Sequence, residues 1–417
     1  MSGGEFWYYL ALVVQVLVAL LGGYYVFVYT VGLLPWRREK KAEEDRFLRF
    51  AILIPAHNEQ DVIDKLITNL KKLDYPDDFY KIIVIADNCT DSTAQVARES
   101  GAIVWERRDP LKRGKQYALD WAFRKVLKEG NFDAVCVFDA DNLVSLNFLR
   151  KVNEKLLSGE KVVQCYLDTK NPLDTWITKA YALGYWISNR VFQLARWRLG
   201  FSAVLGGTGF SLRRDLVEKY ALGLTSLTED LELTVKLNLK GIKVGWIHDA
   251  KVYDEKPLTL KDSWYQRLRW MRGHWDVALR YGFALLKKAI LEGKLHMFDM
   301  FFYAISPLRI LLGGTIIFFL VLSSVSDISV GGVQIKGFLP FWLWLSISVW
   351  IWFYPLVALI QEKVPLRLFS HLFYLVIWSL TWIPVVIQAL ISVRVRSWSH
   401  TRHTRSLTLE ELSQLKL

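Results

Sequence analysis

The chain has 417 residues, too many for one compact domain at about 150 residues per domain. Apolar residues make up 52 %, with 18 Trp, which excludes a disordered chain. The three cysteines, Cys89, Cys136 and Cys165, exclude a disulfide scaffold, show no metal-ligand spacing and suit a reducing compartment. Lys plus Arg number 53 against 41 Asp plus Glu, a net charge of +12. These basic residues lie beside apolar runs, so anionic lipid accounts for them better than nucleic acid.

From Phe6 to Trp36 there is no charged residue. A membrane-spanning helix needs about 20 apolar residues. The run lacks the basic start and small-residue cleavage site of a signal peptide, so it reads as an uncleaved anchor. Arg37, Arg38, Lys40 and Lys41 follow it, which places that side in the cytoplasm and the N-terminus outside.

Residues 50–170 alternate strand-like and helix-like segments. Strands are expected at Phe50–Pro55, Lys81–Ala86, Ala102–Trp105 and Ala134–Phe138. Helices are expected near 60–72, 92–100, 115–129 and 148–158. This alternation predicts an α/β domain with a mostly parallel sheet, whose ligands bind beyond the carboxyl ends of the strands. His57-Asn58-Glu59 follows the first strand, Asp87-Asn88-Cys89-Thr90-Asp91 the second and Asp139-Ala140-Asp141-Asn142 the fourth. Two carboxylates one residue apart on a turn, Asp139 and Asp141, can both reach a hard cation such as Mg²⁺ or Mn²⁺. Lys115 opens a helix just after Arg113-Gly114, a plausible phosphate contact; its bland alternative is a solvated surface lysine.

Further along, Leu173–Arg198 and Leu258–Arg280 are basic and amphipathic, and both read as helices in the membrane interface. In the second, Trp264, Leu268, Met271 and Trp275 form one stripe, with Gln266, Arg269, Trp270 and Gly273 opposite. A Trp on the polar face is odd for a purely structural helix; ordinary core helices are the bland alternative for both segments. Thr228-Glu229-Asp230 opens a helix and by itself reads as ordinary N-cap chemistry.

Three more apolar runs follow: Met300–Ser326, Gly337–Gln361 and Leu368–Val393. Three crossings would leave the C-terminus outside, yet the tail carries Arg394, Arg396, Arg402 and Arg405, so either one segment does not fully cross or the positive-inside rule fails here. Arg309 makes the first of these runs the weakest candidate span. The chain thus divides into an anchor (6–36), a polar domain (45–250), interface helices (172–199 and 258–280), a membrane region (300–393) and a basic tail (394–417).

Taken in order, Ile54-Pro55-Ala56-His57-Asn58-Glu59, Ala86-Asp87-Asn88-Cys89-Thr90-Asp91, Arg113-Gly114-Lys115, Asp139-Ala140-Asp141, Thr228-Glu229-Asp230 and Gln266-Arg267-Leu268-Arg269-Trp270 resemble the motif set of membrane-embedded, inverting family 2 glycosyltransferases. That group includes bacterial cellulose, hyaluronan, chitin-oligosaccharide and poly-N-acetylglucosamine synthases. The resemblance covers roughly residues 45–280.

It implies a GT-A fold that takes a UDP-sugar with Mg²⁺ or Mn²⁺. Pro55, Ala56, Asn58, Glu59 and Asp87 match nucleoside-binding positions, and Lys115 a basic nucleotide contact. Asp139 and Asp141 match the metal motif and Asp230 the general base. Gln266, Arg269 and Trp270 match the motif lining the acceptor and diphosphate site, with Arg267 a further phosphate contact. Gly206–Phe210 matches an acceptor-side segment. Trp398-Ser399-His400-Thr401 resembles a tail motif on the cytoplasmic side, which argues for a cytoplasmic C-terminus.

The expected activity is that of an inner-membrane hexosyltransferase extending a polysaccharide and passing it across the membrane. A transferase adding one sugar to a lipid shares every motif. A channel or receptor with a nucleotide-sensing domain does not need Asp230 or Gln266–Trp270.

Overall fold

We describe residues 3–35, 46–309, 339–395 and 405–415, and scattered positions between 315 and 335, of a computed structural model. The basic residues 37–41, the Trp398–Thr401 motif and much of the 300–326 run lie outside the described residues.

The polar region builds one sheet of eight strands in the order β3-β2-β1-β4-β7-β6-β8-β5. Its first half is parallel. β1 (Phe50–Ala56) lies between β2 (Tyr80–Asp87) and β4 (Ala134–Val137), and β3 (Ile103–Arg107) lies outside β2. β1, β2 and β4 are near-continuous apolar runs because both faces are covered, whereas the edge strand β3 is partly exposed. In β1, Ile52 and Ile54 face a core with Leu66 and Ile67 of α2 (Ile63–Leu70). Ala51 and Leu53 point into the opposite core, with Ala122 and Phe123. α3 (Thr93–Glu99) links β2 to β3, and α4 (Lys115–Glu129) links β3 to β4.

The second half is mixed. β5 (Leu143–Val144) and α5 (Phe148–Leu157) precede β6 (Val162–Thr169). β7 (Phe210–Arg213) runs antiparallel to both β4 and β6, while β8 (Gly245–Asp254) runs parallel to β6 and antiparallel to β5. The strand helices fall within a few residues of their expected bounds.

Two helices differ from expectation. The expected Leu173–Arg198 helix is divided into α6 (Trp176–Ser188), a π-helical turn (Asn189–Leu194) and α7 (Ala195–Arg198). The wide turn aims Asn189 at the Leu167 carbonyl, 2.7 Å away, and Arg190 at Glu362, 2.6 Å away. After α8 (Arg214–Leu216) and α9 (Glu229–Leu239) comes α10, which runs from Leu260 to Glu292, twelve residues beyond its expected end. Its apolar periodicity continues through the buried Leu285 and Ala289.

α1 (Gly3–Leu33), α12 (Phe341–Gln361) and the segment Leu366–Ile391 are long and apolar enough to cross a membrane. That last segment includes α13 (Leu372–Leu380) and α14 (Trp382–Ile391). α11 (Leu295–Ala304) precedes α12, a small ribbon pairs β9 (Ile328–Val330) with β10 (Val333–Ile335), and α15 (Leu409–Leu415) lies in the tail. The membrane helices share a core with the sheet: Leu359 and Leu368 cluster with Leu183, Trp186 and Val191. Gly32 permits the close approach of α1. A Cβ there would stand 2.8 Å from the Arg190 carbonyl oxygen and from the Val191 Cα. Arg309 rests over the rings of Tyr25 and Phe192.

A buried ion pair completes the junction. Arg196 Nε donates to both oxygens of Asp299, at 3.0 and 2.8 Å, and the Tyr24 hydroxyl of α1 donates to the same carboxylate. Both charged side chains are essentially unexposed. Asp299→Ala leaves Arg196 buried without its counter-ion and is expected to destabilise the protein by about 3–5 kcal/mol. Thermal unfolding in detergent checks this, and the double change Arg196→Met with Asp299→Leu is expected to recover most of the loss.

Candidate active site

A cleft of about 370 Å³ opens beyond the carboxyl ends of β1, β2 and β4. Strand order runs outward in both directions from β1 and β4, so the cleft sits at a topological switch point. Of the expected residues, Pro55, Ala56, Glu59, Asp87, Lys115, Asp139, Asp141, Asp230, Gln266, Arg269 and Trp270 all line it.

Asp87 ends β2 and is bound by Arg107, whose Nη1 donates to Oδ1 at 2.5 Å. Burial pushes the Asp87 carboxyl up, and Arg107 opposes the shift. Arg107 escaped the sequence reading, although it stands opposite Asp87 in the parallel register of β2 and β3.

Asn58 does not line the cleft. With φ at +57°, it holds the adjoining loop: its Nδ2 donates to Thr90 Oγ1 at 3.0 Å, and its Oδ1 accepts from the Thr90 N–H at 2.8 Å.

Lys115 is the first residue of α4, after Gly114 at φ +123°. Its ammonium donates to Asp139 Oδ1 and to the Gly207 carbonyl, the latter at 2.7 Å, and stands 4.0 Å from Glu229. This is not a solvated lysine. Burial works against its charge, yet Asp139 and Glu229 hold its pKa above the usual lysine value.

The Asp139 N–H donates to Thr208 Oγ1 and Asn142 Oδ1, both at 3.1 Å. Asp141 Oδ2 accepts from the Glu255 N–H at 2.8 Å, and Oδ1 accepts from Asn142 at 3.1 Å. The bonds to Asp141 orient its carboxylate, Lys115 holds that of Asp139, and two carboxylates so placed are a donor set that suits a hard divalent cation. Among the described residues no group of three or more His, Cys, Asp or Glu forms a metal cage. The remaining positions would therefore fall to substrate phosphate and water.

Glu229 and Asp230 open α9. Thr228 makes no capping bond to the helix through its side chain. Burial pushes the Glu229 carboxyl up to about 7 against the pull of Lys115, and burial raises Asp230 also. Glu229 was legible only as helix-start chemistry. Asp254, at the end of β8, was not singled out; burial pushes it up to about 6 despite Lys256 at 2.6 Å. Tyr185, His274 and Tyr303 also line the cleft without having been foreseen.

Arg267 is placed elsewhere. It is fully buried between the rings of Trp378 and Trp382, and its Nη1 donates to Thr381 Oγ1 at 2.8 Å. Arg269, two positions on, reaches the cleft instead.

The family model described as glycosyltransferase like family 2 matches residues 48–273. The probable glycosyltransferase YdaM of Bacillus subtilis is 30 % identical over 64 % of this chain and 63 % of its own length. A beta-monoglucosyldiacylglycerol synthase of Nostoc sp. is 31 % identical over 61 % of this chain and 55 % of its own. A poly-beta-1,6-N-acetyl-D-glucosamine synthase of Staphylococcus aureus is 25 % identical over 58 % of each chain. The chain thus matches less than two thirds of the length of each of these relatives. Among solved structures, the mannosyltransferase PcManGT from Pyrobaculum calidifontis, in complex with GDP-Man and Mn²⁺, covers 85 % of this chain and 96 % of its own at a TM-score of 0.50 and 16 % identity. The expected GT-A type architecture is the one observed.

Trp270 meets the cleft, while Trp275 is buried against α14 and donates to the Val386 carbonyl at 3.2 Å. Trp275→Ala is expected to destabilise the protein by about 3–5 kcal/mol. Trp270→Ala is expected to cut transfer far more than it lowers the melting temperature. A paired melt and activity assay on the two variants reads both effects.

Proposed function

The chain belongs to glycosyltransferase like family 2, and from that premise we propose that it moves a hexose from a UDP-sugar, with inversion at the anomeric carbon, to an acceptor hydroxyl at the membrane. The observation that carries this reading is the convergence of Asp87, Lys115, Asp139, Asp141, Asp230, Arg269 and Trp270 on one cleft.

In this reading Pro55, Ala56, Glu59 and Asp87 hold the nucleoside, with Asp87 kept in place by Arg107. Asp139 and Asp141 hold Mg²⁺ or Mn²⁺, which when bound neutralises charge on the diphosphate. Lys115 and Arg269 add fixed positive charge for the departing UDP. The acceptor hydroxyl gives its proton to Asp230 as its oxygen bonds to the anomeric carbon and the bond to the diphosphate breaks. Trp270 packs on the acceptor sugar face and Gln266 bonds its hydroxyls. The basic flank after α1 supports a cytoplasmic catalytic domain on an inner membrane.

Two acceptors remain within this reading. Similarity to the poly-N-acetylglucosamine synthase supports a growing polysaccharide that the membrane helices pass outward. Similarity to the glucosyldiacylglycerol synthase supports one sugar added to a lipid. Membranes supplied with labelled UDP-sugars yield high-mass polymer in the first case and organic-extractable lipid in the second.

Asp230→Asn is expected to keep UDP affinity near normal by calorimetry and to lower transfer on the order of 10²–10⁴-fold. EDTA is expected to abolish transfer and added Mn²⁺ or Mg²⁺ to restore it. The base acts as a carboxylate, and burial raises its pKa. Turnover therefore falls as pH drops, with a midpoint above the ordinary Asp value of about 3.9. A pH–rate profile measures the limb, and normal turnover by Asp230→Asn would refute the assignment.

A further inference from the structure

Leu366–Ile391 has the length and hydropathy of a membrane span. Both of its ends, however, are held by the catalytic unit. Just before it, Glu362 accepts from Arg190 Nε at 2.6 Å and from the Tyr166 hydroxyl at 2.9 Å, and lies 3.2 Å from His248 Nε2. Tyr166 and His248 stand on β6 and β8 of the central sheet. Beyond its other end, the Arg405 N–H donates to Glu255 at 3.0 Å, and its guanidinium Nε donates to Asp174 at 3.0 Å. The Arg405 carbonyl accepts from Lys170 Nζ at 2.8 Å.

Two anchor points on one side of a bilayer require an even number of crossings between them. Two crossings need about 20 apolar residues each, more than the 26 that this segment has. One crossing would leave Val395 on the far side. Arg405 follows Val395 by ten residues, about half of the roughly 20 that a return crossing needs.

We infer that Leu366–Ile391 does not cross the membrane but lies along its catalytic side, an apolar cover over α6 and α10 whose outer face enters the lipid. Its inner face is committed to protein. Trp378 packs on Tyr181 at 4.8 Å between ring centres, and Gln388 accepts from Trp264 Nε1 at 2.8 Å. Its outer face is apolar and open: Phe373 is 65 % exposed, Leu380 61 % and Ile391 82 %. An apolar face on lipid and an apolar face on α6 and α10 together account for the span-like hydropathy of the segment. The helix breaks at Thr381, between α13 and α14, where Arg267 binds the Thr hydroxyl. Two short helices joined by a bend can follow a surface.

The parity of the chain then resolves. α1 and α12 end together on the catalytic side, where Gln361 Nε2 donates to the Leu33 carbonyl at 2.7 Å. The tail ends on that side as well. With Leu366–Ile391 on the surface, the C-terminal tail and the catalytic domain share one side without a third late crossing after α12.

The test uses the full-length protein in sealed membrane vesicles of both orientations. In a Cys89→Ser background, with Cys136 and Cys165 fully buried, Lys363→Cys and Val395→Cys are labelled with a membrane-impermeant maleimide. Both are expected to react from the side on which protease digests the catalytic domain. Reaction from opposite sides overturns the inference. An epitope tag after Leu417 on the otherwise unchanged chain gives a second reading that needs no internal substitution. It is expected to be cleaved together with the catalytic domain, and protection of the tag while that domain is digested overturns the inference equally. Neither result depends on the transfer reaction proposed above.

Discussion

A cleft that gathers this many carboxylates needs a cation of its own. Lys115 supplies it, joining Asp139, the Gly207 carbonyl and Glu229 across three separate segments of chain. Without that charge, Asp139, Glu229 and Asp230 would face one another at low dielectric, and like charges so placed force protonation or separation. The position of the ammonium follows from the backbone. Gly114, at φ +123°, turns the chain so that α4 begins at Lys115 with its N-terminus beside the acidic motif. The helix end adds its own partial positive charge to the lysine's. Gly207 completes the arrangement, its φ of +82° being a backbone conformation that glycine adopts readily and other residues rarely.

The parallel half of the sheet was legible because buried strands and the helices between them carry different periods. The acidic strand ends followed from it. What stayed hidden depends on long-range pairing. Asp254 and Glu255 reach the cleft only because β8 is inserted between β6 and β5, an order with no local signature. Arg107 could have been found by pairing strand ends, since it closes β3 as Asp87 closes β2. Arg267 was expected on phosphate because arginine recognises phosphate well, although its place four residues before Met271 puts it beside the buried stripe of α10. The π-helical turn in the Leu173–Arg198 segment could not be read from spacing, because its cause lies in partners on β6 and at the end of α12.

The junction between membrane and catalytic parts is made of the same material as the domain interior. Leu359 and Leu368 belong to the core that holds the sheet, Gly32 brings α1 against the π-helical turn, and Arg196 with Asp299 ties α7 to α11. Removing water from both charges is costly, and the bidentate contact together with the Tyr24 hydroxyl offsets that cost. Aromatic rings around Arg309 serve the same end.

The Gly32 contact has a mechanical consequence. A helix whose backbone touches the backbone of the catalytic unit allows no tether-like freedom, so the cleft is held at a fixed position relative to α1. A bilayer that held α1 would thereby hold the cleft as well, with no hinge between them to absorb the motion of either.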